Sequence, residues 1–170
     1  MWPLDRAPVS DAPADNEARL LALDREESVS ALLRAAARLL VEALNASACA
    51  ISRAIGDLLV ELAEHSNAQS VQSGHGYLIS DYPATREVLE DRRPMTVAVS
   101  DPAADVHEVE LLRELGFDSL LMLPMVCGED LWGLVEVYDN RADGFATGDV
   151  DAARRVVERA CAVLERLAAN

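Results

Sequence analysis

Three histidines (His65, His75, His107) and three cysteines (Cys49, Cys127, Cys161) are the side chains most suited to chemistry in this sequence. Neither set is spaced for it. The histidines have no short mutual spacing and the cysteines form no CxxC pair, so no metal site is predicted. An odd number of scattered thiols reads as buried free cysteines in a reducing compartment, not as a disulfide framework. Cys127 closes an apolar run beside Gly128 and could be redox-active. No cationic sequence neighbour would lower its pKa, however, and an inert thiol is the simpler reading. The chain carries no glycine-rich phosphate loop, no Ser/His/Asp order and no framed carboxylate pair. No catalytic residue is assigned, and the protein is predicted not to be an enzyme.

The surroundings of the histidines leave two readings for each. His65 and His75 flank a stretch of Ser, Asn, Gln and Gly, where they would line a pocket mouth or simply be solvated. His107 falls in the first turn of a helix whose start is marked by Asp105 and Glu108 in capping-box spacing. There it is either a surface residue or one turned toward a ligand.

Composition narrows the function. The chain has 30 acidic and 15 basic residues, a net charge of -15, which repels phosphate backbones and anionic lipid. No nucleic-acid or membrane partner is expected. The acidic surface either docks a partner or only keeps the chain solvated. Residues 120–127, the longest apolar run, are too few to span a bilayer and include Pro124. The start, Met1-Trp2-Pro3-Leu4-Asp5, has no basic region followed by an apolar one, so a cytoplasmic location is expected. The 170 residues are 51% hydrophobic and only 4% aromatic, enough for one domain with a core of Leu, Val and Ala.

Residues 1–23 read as a flexible tail with a short helix near 17–23, and residues 24–170 as a single domain. Asp24 and Glu27 in capping-box spacing open a helix running to about Asn45, with Leu32, Leu33, Ala36, Leu39 and Leu40 on its apolar face. Residues 47–53 and 58–64 read as strands around a Gly56-Asp57 turn. Residues 65–76 read as a loop, or a loose helix, flanking a cavity. A helix starts at Pro83, and residues 93–99 form a strand near an edge because of Pro94. The helix after Asp105 stops at Gly116. Residues 119–127 and 131–139 form a second hairpin, and Thr147 caps the last helix. Strands joined mainly by hairpins and flanked by helices make an α+β domain with an antiparallel sheet.

Over residues 24–167 this order resembles the GAF domain family. The strongest segment is LLRELGFDSLLMLPMVCGEDLWGLVEVY, residues 111–138, in which Gly116 ends a helix, Gly128 makes the turn and Gly133 permits close approach to the sheet. The resemblance implies terminal helices on one sheet face and a ligand pocket with a lid, residues 77–90, on the other. Asn140-Arg141, Phe145 and Asp149 are similar to a motif of cyclic-nucleotide-binding members. It implies an Arg141–Asp149 pair that locks a loop instead of binding ligand. Ser80-Asp81-Tyr82-Pro83-Ala84 and Val106-His107 resemble phytochrome-type strings. The attachment cysteine would fall at Val106 and none precedes Cys49, so covalent bilin is not expected. The cysteines also do not match those of GAF-fold methionine-sulfoxide reductases.

The pocket candidates that follow are Tyr77, Asp81, Tyr82, Arg86, Thr96 and His107. Tyr77 and Tyr82 either stack on a planar ligand or only cover the sheet. The expected function is a non-catalytic sensory module that binds a small molecule, dimerises, or does both, to transmit a signal through its terminal helices, with a separate output protein as a candidate partner. Two alternatives stand beside it: a degenerate GAF domain used only for dimerisation, and a haem or bilin sensor using His107. The sequence names no cofactor.

Overall fold

A computed structural model describes residues 12–67 and 76–170; the rest of the expected tail and His75 lie outside the described residues. Six strands form one sheet in the order β3-β2-β1-β6-β5-β4, every neighbouring pair antiparallel. They are β1 (Ala48–Ile55), β2 (Leu58–Ser66), β3 (Gly76–Leu78), β4 (Met95–Ala98), β5 (Ser119–Cys127) and β6 (Asp130–Asp139). The hairpin turns hold Gly56 at φ +59° and Gly128 at φ +63°, a backbone region that disfavours other residues. A Cβ at Gly133 would overlap the carbonyl oxygen of Ser52, so β1 and β6 meet there only because residue 133 has no side chain.

The helices are α1 (Ala12–Ala22), α2 (Val29–Leu44), α3 (Pro83–Asp91), α4 (Val106–Leu115) and α5 (Thr147–Ala168). Several boundaries differ from the sequence expectation. The first helix is α1, which starts well before residue 17. Asp24 caps nothing: it lies in a 3-10 turn, Leu23–Arg25, where Arg159 reaches it at 2.5 Å. The cap of α2 is Ser28, whose Oγ accepts from the Ala31 N–H at 3.2 Å. Thr147 is the first helical residue, and Asp149 Oδ2 accepts from the Ala146 N–H at 2.9 Å. The stretch read as a loop contributes His65 and Ser66 to β2 and Gly76 to β3.

The sheet has two buried faces. Leu121, Leu123, Met125, Val135 and Val137 face α2 and α5, in one core with Leu32, Leu33, Leu40, Val156 and Ala160. The alternate residues, Leu120, Met122, Leu134 and Tyr138, face the other way, toward Ile79 of a 3-10 turn, Val88 of α3 and Leu112 of α4. A bulge changes the phase of β2. Ile51 pairs with Ala63 but Ser52 pairs with Glu61, so Leu62 is the extra residue and stands exposed. Glu61 and Glu64, three positions apart, therefore both turn to the α3–α4 side, opposite Ser52 and Ala50. Among the described residues no helix is long and apolar enough to cross a membrane.

Candidate functional site

The side of the sheet under α3 and α4 contains most of the buried polar side chains described: Ser52, Thr85, Glu108 and Glu136. Strand alternation puts Glu136 there, because its neighbours Val135 and Val137 face the opposite core. Glu136 is 3% exposed, and two phenols hold it: Tyr77 donates to Oε1 and Tyr138 to Oε2, each at 2.8 Å. Burial raises its pKa above the ordinary carboxyl value, against the pull of those two hydrogen bonds. Burial and the nearby carboxylate likewise push Tyr77 and Tyr138 well up.

Glu108 comes from α4. Asp105 Oδ1 caps this helix, accepting from the N–H groups of His107 at 3.0 Å and Glu108 at 3.1 Å. The Glu108 side chain turns inward instead of back to the cap. It is 1% exposed, Oε1 accepts from the Thr85 hydroxyl at 2.5 Å, and Oε2 has no hydrogen-bond partner among the described residues. Burial, then Glu136 and Asp105, raise its pKa to about 7, against the pull of the Thr85 hydroxyl and, more weakly, of the Thr85 backbone N–H. Glu61 is raised to about 7 by burial, by the charges of Glu64 and Glu136, and by a hydrogen bond with Glu64.

Aromatic rings frame these carboxyls. Tyr77 and Tyr82 meet edge to face with centroids 5.2 Å apart, and Phe117 stacks on Tyr138 at 5.2 Å. Outside Tyr82 a groove of about 350 Å³ runs between the start of α3 and α4, lined by Asp81, Tyr82, His107, Glu110, Leu111 and Glu114. A second groove of about 430 Å³ lies along the other flank of α3, between Ile79, Leu89 and Leu131.

Of the pocket candidates, Tyr77 and Tyr82 come together over the carboxyls, and Asp81, Tyr82 and His107 share the outer groove. His107 is exposed there. Arg86 is exposed, lines the second groove and lies 3.8 Å from Glu90. Thr96 stands apart: it pairs with Leu121 and so shares the α2–α5 face of the sheet. Arg141 Nη1 lies 3.1 Å from Asp149 Oδ2, and its other bonds go to Asp139 and to the carbonyls of Leu44 and Asn45.

Sequence reasoning missed Glu108 and Glu136. The signal was present for both. Glu136 interrupts a strand between two inward valines, and Glu108 sits next to Val109 and one turn before Leu112, on the apolar face of α4. Cys127 does have a cation near it in space. The Cys161 thiol lowers its pKa by hydrogen bonding, burial and the Glu165 carboxylate oppose this, and Arg53 adds a smaller lowering that Asp130 counters. Cys49 is buried and its thiol is pushed up.

The family model for the GAF domain matches residues 28–164. No curated protein matches the sequence. The phycoerythrobilin-bound GAF domain from a cyanobacterial phytochrome superposes with a TM-score of 0.78 at 18% identity, covering 89% of this chain and 95% of that one. For the phycocyanobilin-bound GAF domain from a cyanobacterial phytochrome the values are 0.77 and 16%, covering 92% and 94%. A bacteriophytochrome from the photosynthetic bacterium R. palustris gives 0.81 at 10% identity, covering 95% of this chain and 39% of that one.

Proposed function

The chain belongs to the GAF domain family, and on that footing we propose that it is a non-catalytic sensory module. A small molecule binds on the α3–α4 side, and the resulting change reaches the terminal helices, a homodimer partner and a separate output protein. One observation supports this most: tyrosines and carboxyls converge under α3 and α4, and one buried carboxylate oxygen of Glu108 has no hydrogen-bond partner among the described residues. A core serving only stability would avoid such groups, because an unmet buried acceptor costs about 1–3 kcal/mol. Converging polar groups in an otherwise apolar pocket are the ordinary mark of a ligand site.

The degenerate, dimerisation-only reading draws support from one feature. Leu120, Met122 and Leu134 are fully buried and fill the space between sheet and lid. A ligand must then occupy the groove outside Tyr82 or displace that ring. The apolar stripes of α2 and α5 pack against each other and the sheet, so a dimer would use what stays exposed, such as Leu21 and Val29. Native mass spectrometry of gently purified protein separates the readings. A mass excess released on denaturation is the expected result; a clean multiple of the protomer mass favours dimerisation alone.

A further inference from the structure

We propose that the small molecule bound on the α3–α4 side is an organic cation, an ammonium or amidinium compound, held by the carboxylates of Glu108 and Glu136 and faced by the rings of Tyr77 and Tyr82. This rests on the reading that a small molecule binds there at all, and adds its chemical class.

The first support is the sign of the site. The neighbouring charges that weigh most on Glu61, Glu108, Glu136 and the three tyrosines are acidic: Asp81, Asp105, Glu114, Glu64 and one another. His107 stands exposed at the outer rim, and the chain contains no lysine. Bringing several carboxyls into a low-dielectric interior without a countercharge is unfavourable, and a bound cation supplies that countercharge.

The second support is independent of the first. Glu108 is almost fully buried, yet Oε2 has no donor among the described residues while Oε1 is engaged by Thr85. With its pKa raised to about 7, Glu108 is present in both protonated and ionised forms near neutrality; the ionised form only accepts hydrogen bonds, so a donor at Oε2 favours that form. An ammonium or amidinium N–H is such a donor, and the resulting bond is charge-assisted. A phosphate or propionate would bring acceptors and more negative charge.

The third support is the route. Tyr82 lines the outer groove and meets Tyr77, whose hydroxyl donates to Glu136, so its ring stands between groove and carboxyls. Its partner Tyr77 meets it at an interplanar angle of 81°. Faces of this kind attract cations. The groove outside Tyr82, about 350 Å³, is at the small end of the range for ligand sites and suits the approach of a compact amine; Glu108 and Glu136 do not line it, so the cationic group reaches them as the Tyr82 ring moves aside.

The test uses the full chain, with calorimetry and tyrosine-selective NMR. Agmatine, choline and phenethylamine are titrated against glutarate, benzoate and benzyl alcohol, in the native chain and in Glu108→Gln, Glu136→Gln and Tyr82→Leu. At least one cation is expected to bind and shift the Tyr77 and Tyr82 resonances. Affinity should fall about tenfold or more in each Gln variant and severalfold in Tyr82→Leu. Tyr82 is only half-buried, so its variant remains informative if a Gln variant misfolds. Cation binding that ignores all three substitutions overturns the proposal. Binding by only a neutral or anionic probe overturns it too, but leaves the broader ligand-binding reading intact. No binding by any probe, with a clean protomer mass, removes both.

Discussion

The α2–α5 side and the α3–α4 side of this sheet use the same strands for different ends. Along β6, Val135 and Val137 enter a core of leucines, valines and alanines, while Glu136 and Tyr138, interleaved with them, enter one of carboxyls and phenols. Among the described residues the buried charged side chains, Glu108 and Glu136, both lie on the α3–α4 side. That side buries polar groups, which cost stability where a hydrogen-bond partner is missing.

The largest effect removes the contrast altogether. Gly133→Ala places a methyl group on the Ser52 carbonyl and forces β1 from β6, so both faces should lose order, at a cost of about 3 kcal/mol or more in chemical denaturation. Next comes the α2–α5 side alone. Leu40→Ala, at a position with no exposure, should cost about 3 kcal/mol in the same assay and leave probe binding at Tyr82 unchanged.

The third effect is a pH dependence that belongs to the α3–α4 side. Unfolded, Glu61 and Glu108 titrate near 4.5; folded, they titrate at about 7, and Glu136 is raised as well. The unfolded chain therefore loses these protons first, and stability present below about 4.5 is lost as pH rises toward 7. The melting temperature should fall across that window, and Glu108→Gln should flatten the slope. Asp139 works in the opposite sense. Burial opposes ionisation, but hydrogen bonds from Arg141 and Ser47 hold its pKa below the ordinary 3.8, so its contribution disappears only as pH drops through and below that value. The smallest effect is at His107. His107→Ala should change stability by no more than about 0.5 kcal/mol, since the ring is exposed. Loss of visible absorbance in that variant would instead favour the haem reading.

Much of the fold could be read from turn chemistry. Gly56 and Gly128 mark the hairpins, Pro83 opens α3, and Asp105 and Gly116 bound α4, each because a backbone requirement selects the residue. Features set by tertiary packing could not be read this way. Asp24 has the spacing of a cap, but Arg159, far along the chain, engages it, and Ser28 takes over the role. The bulge at Leu62 reverses which residues of β2 face inward, and no local pattern announces it. The rings of the site were anticipated at Tyr77 and Tyr82. The carboxyls they face were not, because Glu108 has an equally good local role as a capping residue and charge is ordinarily assigned to the surface.

Arg141 ties the end of α2, the end of β6 and the start of α5 together: it bonds to Asp139, Asp149 and the carbonyls of Leu44 and Asn45, and lies 4.5 Å from the Phe145 ring. The other end of α5 is held at the surface, by Arg166 to the carbonyls of Asp24 and Glu26, contacts of the exposed kind that give way easily. In mechanical terms α5 is a beam clamped at its start and seated along its length, where Ala153, Val156, Ala160 and Leu164 enter the core; only its last few residues run beyond that seat. Its 22 residues span about 33 Å, so a tilt of about 5° of the whole seated helix about its start would carry the Ala168 end through about 3 Å.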